Sequence, residues 1–181
     1  MAIVNTTSLP RQLRSTDQIP SRTRVTMRCI EETFGAAKSN DKKLQITREF
    51  EIVHPEFLDI GGTQVGILGI KLKHYRGVRL NKADGSRDDG ESNKLLRNYA
   101  DELAACGLPH EQIDDENPEL LMKGQYVDVN IGSEEYERKA PLTPEEKAAG
   151  IKEGKPTGEK GYKPRIEFIL GKAQPVEGQP W

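Results

Sequence analysis

Arginines and lysines recur at alternate positions in three separate stretches of this chain, and tyrosines stand among them. Arg24 and Arg28 share one period-two face of "RVTMRCIEE", and Lys38, Lys42 and Lys43 surround the turn signal in "KSNDKK". Lys71, Lys73 and Tyr75 alternate in "KLKHYRGVR" with Arg76 and Arg79 beside them, and Tyr126 and Tyr162 supply further rings. Cations spaced along a strand face can track phosphates, and an exposed ring stacks on a base for about 1–3 kcal/mol. If the three stretches pair as neighbouring strands, their outward faces form one basic, aromatic surface. Its expected ligand is single-stranded nucleic acid, and no cofactor is expected.

The groups that catalysis needs are not brought together by spacing. His54, His74 and His110 have neither HxxxH nor HExxH spacing, and no GxSxG occurs. "GIKEGKPTGEKG" has glycines and lysines but lacks the GxxxxGK[ST] order of a phosphate-cradling loop. In "NKADGSRDDGES", Asp89 stands where a calcium loop needs glycine and Leu95 where it needs glutamate. Cys29 and Cys106 lie far apart without a histidine neighbour of zinc spacing, so they read as structural thiols of a reduced, cytoplasmic chain. The chain is therefore not expected to be an enzyme.

Composition sets the frame for that surface. At 34% hydrophobic and 31% charged, 181 residues read as one soluble domain with polar appendages, and no apolar run approaches a membrane span. The net charge of −2 argues against binding through bulk charge, but the charges are unevenly spread. Residues 1–82 carry 14 Lys/Arg against 8 Asp/Glu, and residues 83–181 carry 13 against 21. Residues 111–137 alone hold nine acids against the single base Lys123. One alternative thus stays open: a non-enzymatic protein-interaction module, a virion component or host-factor inhibitor, using the acidic segment 111–137.

The elements that must position these residues follow from periodicity. Residues 1–22 lack hydrophobic periodicity and read as a flexible arm, 23–172 as the folded domain, and 173–181 as a flexible tail. Period-two alternation predicts inward Val25, Met27 and Cys29; then Leu44, Ile46, Phe50 and Ile52; then Leu68, Ile70 and Leu72. Arg48 interrupts the second series, marking a bulge or a register change. "SNKLLRNYADELAACGLP" predicts a helix with Leu96, Tyr99, Ala100, Leu103 and Cys106 on one stripe, capped by Ser92 or Asn93 and ended at Gly107 and Pro109. "NPELLMKG" predicts one helical turn, and Val127, Val129 and Ile131 form a fourth inward series. A long loop over 133–164, with a capped short helix at Thr143 to Gly150, precedes a final strand with Ile166, Phe168 and Leu170 inward. The fold class expected is mainly β: a five-stranded OB-fold barrel with a helix between strands three and four and a long loop between strands four and five. An antiparallel sheet with one packed helix is the alternative.

"KSNDKKLQITREFEIVHP" resembles the second-strand region of phage-encoded single-stranded DNA-binding proteins of the OB-fold class, and "LMKGQYVDV" is similar to the start of their fourth strand. The likeness spans about residues 24–172. It implies sequence-independent binding of single-stranded DNA in phage DNA replication, recombination or repair, in the host cytoplasm. Replication or recombination proteins and a second copy of the chain are further candidate partners.

Overall fold

The alternating stretches become strands longer than their apolar cores in the computed structural model, which describes residues 10–174. In chain order the elements are β1 (Arg11–Gln12), β2 (Thr23–Ala37), β3 (Asn40–His54), β4 (Phe57–Ile60), β5 (Thr63–Gly66), β6 (Lys71–Leu80), α1 (Asp89–Ala105), β7 (Tyr126–Lys139), α2 (Pro144–Ala148) and β8 (Pro156–Lys172). The molecule is mainly β. One curled, five-stranded antiparallel sheet has the order β6, β3, β2, β7, β8, and a three-stranded sheet has the order β1, β5, β4.

The inner face of the large sheet is apolar because each strand puts alternate side chains there. Val25, Met27 and Cys29 of β2, Ile46, Phe50 and Ile52 of β3, Leu72 and Val78 of β6, and Val127, Val129 and Ile131 of β7 are all buried. Helix α1 completes this core with Tyr99 and Leu103, and Cys106, which caps its C-terminus, joins them. Burial pushes the Cys29 and Cys106 thiols up to about 12 and about 11, so both are poor nucleophiles.

Several sequence expectations are corrected. Residues 10–22 of the expected arm are packed: Ile19 is buried in the core, and Asp17 accepts two bonds from the Arg11 guanidinium, which hold its carboxyl below the usual range. Residues 1–9 and 175–181 lie outside the described residues, but Ala173 of the expected tail is buried and bonded to Tyr126. The 133–164 loop is mostly strand, because β7 and β8 stay paired out to Lys139 and Pro156, laced by ion pairs such as Glu135 with Lys160 and Glu134 with Lys163. "PEFLDIGGT" forms the β4 and β5 hairpin, whose turn glycines Gly61 and Gly62 both take positive φ. The cap of α1 is Asp88, which accepts from the Glu91 backbone; Ser92 is instead buried and bonds both backbone groups of Leu80. "NPELLMKG" forms no helix. Leu68 is exposed in the turn before β6, and Phe168 and Leu170 are exposed because bulges in the β7 and β8 pairing reset the inward set to Ile166 and Ile169.

Arg48 marks neither a bulge nor a slip of its own strand. It keeps its place on the inner face between Ile46 and Phe50, and the register shift lies across from it in β2, between Cys29 and Glu31. That shift turns Glu32 inward to meet it.

Candidate nucleic-acid interface

The outer face of β7, β2, β3 and β6 is ordered into rows by strand pairing. Tyr126, Arg28, Glu51 and Lys71 make the first row, and Glu31, Glu49 and Lys73 the second. Thr33, Thr47 and Tyr75 make the third, and Gly35, Gln45 and Gly77 the fourth. The strands do pair as neighbours, so Arg24 and Arg28 of β2 and Lys71 and Lys73 of β6 share one face. They do not share it alone. Glu51 and Glu49 stand between them in β3, a position that sequence alternation had already placed outward, so Arg28, Lys71 and Lys73 face as many carboxylates as they bring cations.

The third and fourth rows are different. They carry no charge, and Tyr75 stands up from them at 56% exposed. Gly77 lies buried beneath the Lys43 stem and Leu95 of α1: a Cβ there would meet the Lys43 Cε at 2.5 Å and the Leu95 Cδ2 at 3.2 Å. Lys43 and the exposed Lys38 and Lys42 surround the β2 to β3 turn at this end of the face, and none of the three has an ion-pair partner among the described residues. The arrangement is an aromatic ring on a polar, uncharged floor with cations along one rim.

The remaining expected residues are distributed elsewhere. Arg24, 62% exposed at its side chain, bonds Asp128 at 2.5 Å, and the Thr26 hydroxyl donates to the same carboxylate. Arg28 lies over the Tyr126 ring at 5.7 Å. Arg79 is taken up by Asn81, Asp115 and Glu116. Tyr162 is on β8 in register with Glu135, outside the four rows, and its N–H donates to Ser15. Arg76 turns inward and bonds Glu102 of α1 at 2.5 Å.

Glu102 leads to a buried cluster that sequence reasoning missed. Arg48 is wholly buried and donates to Glu32 at 2.8 Å and to Glu102, with the Tyr99 ring 5.5 Å away. Glu32 also accepts from the Met122 backbone at 2.8 Å, which ties the connection before β7 to the core. Burial opposes the charge on Arg48, but Glu102 and Glu32 outweigh it and raise the pKa. Burial likewise opposes the Glu102 carboxylate, and Arg48, His74 and Arg76 pull it below the usual range. Burial, with Arg48 and Arg76 nearby, lowers His74 to about 4. The signals were an arginine in an apolar strand series and a glutamate beside Tyr99 and Leu103 on the buried side of the helix. The cluster fastens α1 to β3 and β6 and so fixes the sheet that carries the rows.

No helix among the described residues is long and apolar enough to cross a membrane. No family model, curated protein or solved structure matches this chain.

Proposed function

We propose that the chain is an OB-fold protein that binds single-stranded DNA without sequence preference, as the phage proteins it resembles do in replication and recombination. The observation that carries this reading is Tyr75, exposed on the uncharged rows at the end of the face where Lys38, Lys42 and Lys43, without ion-pair partners among the described residues, surround the β2 to β3 turn. A base stacks on the ring while the lysines meet its flanking phosphates. The OB assignment is supported by the sheet order: the first strand of the large sheet, β2, lies between β3 and β7, and oligonucleotides bind OB barrels across the second and third strands, here β3 and β6.

The reading narrows the phosphate-binding part of the interface to the end nearest the β2 to β3 turn, since Glu31, Glu49 and Glu51 offset Arg28, Lys71 and Lys73 in the first two rows. It also weakens the protein-module alternative. Five of the nine acids of 111–137, Asp115, Glu116, Asp128, Glu134 and Glu135, are already paired with Arg79, Arg87, Arg24, Lys163 and Lys160. Anisotropy of a labelled oligo-dT at two salt concentrations, with duplex competitor, tests the proposal; absence of binding at low salt rejects it.

A further inference from the structure

We infer that the cleft between Arg24, His54 and Asp128 takes the Watson–Crick edge of one unpaired nucleobase, which makes the interface choose single strands over duplex. The inference rests on the single-strand reading above. The cleft measures about 300 Å³ and is lined by Arg24, Thr26, His54, Pro55, Asp128 and Gln174. Three adjacent strands meet in it, because Thr26 of β2 is in register with both Asp128 of β7 and His54 of β3. The row that carries Arg28 and the Tyr126 ring is the next one along the same face.

The polar groups select the ligand class. Asp128 is 5% exposed, with one oxygen bonded to Thr26 and the other to Arg24. Each carboxylate oxygen keeps a second acceptor site, and the exposed guanidinium keeps unused N–H groups. A phosphate entering the cleft would meet a carboxylate whose counter-charge is already spent, so an anion is disfavoured. A neutral ring that presents a donor beside an acceptor fits, the donor going to Asp128 and the acceptor to Arg24. Every base shows such an adjacent pair on its pairing edge, which explains why no sequence preference follows, and in a duplex that edge is occupied. The imidazole of His54 makes no hydrogen bond among the described residues, which leaves its ring to pack on the base.

The test displaces a labelled oligo-dT with two unlabelled competitors of equal length, oligo-dT and oligo-N3-methylthymidine. The methylated strand keeps its phosphates and ring faces but loses the donor on its pairing edge. Against the unaltered protein the methylated competitor should be weaker by about tenfold, the scale of one lost two-point base contact. In Asp128→Ala, which removes the acceptor for that donor, the gap should close to within about twofold on the same scale. Equal competition by the two strands against the unaltered protein overturns the inference and leaves the single-strand reading standing. A gap that survives unchanged in Asp128→Ala also overturns it, and failure of any oligonucleotide to bind overturns both readings.

Discussion

Glu49 stands directly across from Lys73 in the β3 and β6 pair, with Glu31 on its other side in β2. A phosphate approaching Lys73 therefore meets two carboxylates in the same row, whereas Lys43 borders the uncharged third and fourth rows, with Asp41 two positions along its own strand. Lys42→Ala with Lys43→Ala is expected to weaken oligo-dT binding at least tenfold and to reduce the salt slope by about 1.4, two phosphate contacts at about 0.7 each on a single strand. Lys73→Ala should change affinity less than threefold, on the scale of about 0.2–1 kcal/mol for exposed charge pairs. Titrations at four salt concentrations separate the two outcomes.

The same row predicts a gain. Glu49→Gln removes a charge that repels the ligand and leaves the side chain its size. Affinity for oligo-dT should rise by about two- to fivefold at low salt, the scale of roughly 1 kcal/mol for a pair of charges near 4 Å in water. The gain should fade as salt is added, because exposed charges are screened over about 10 Å at 0.1 M. An unchanged or weakened affinity would place the strand away from this row.

Tyr75→Ala should cost roughly 1–3 kcal/mol of binding, the range for one stacked base, while Tyr75→Phe retains most of the affinity. Because the ring is exposed in the free protein, neither change should move the melting temperature by more than a degree or two. Paired binding and melting curves check both halves of the statement.

Stability should fall on acidification through the cluster beneath the sheet. His74 titrates near 4 in the folded protein against 6.5 when unfolded, so the unfolded chain binds a proton that the native one refuses. The contribution is complete above about pH 6.5 and declines as pH drops toward 4, amounting to about 2–3 kcal/mol. Glu102, held below its usual range, adds to the loss in the same direction once pH falls through carboxylate values. Urea melts at pH 7.5, 6 and 4.5 should show the decline, and His74→Phe should flatten its upper part. Glu102→Ala should destabilise by about 3–5 kcal/mol at pH 7.5, since it removes one of the two carboxylates paired with the buried Arg48, and by less as pH falls through carboxylate values.

The strands and the helix were legible because their inner faces are apolar at periods that sequence preserves: Val25, Met27 and Cys29 point inward as their spacing says. The interface was only half legible. Alternation placed Lys71, Lys73 and Tyr75 outward, but which residue stands beside each depends on register, and register brought Glu49 and Glu51 between the cations. Arg48 was visible as an anomaly and could not be resolved, since its partners Glu32 and Glu102 lie 16 and 54 residues away and one of them turns inward only through a bulge in the neighbouring strand. The 133–164 segment reads as loop because its side chains are polar on both faces; long paired strands with ion pairs on their surface have no apolar alternation to announce them.

The central claim meets its most direct test in fluorescence anisotropy of a labelled oligo-dT, titrated with the full chain at two salt concentrations against duplex of equal length. The account predicts salt-sensitive binding with a slope near −2, from the three lysines Lys38, Lys42 and Lys43 at about 0.7 each, that duplex does not compete away. No binding at low salt, or equal competition by duplex, would contradict it.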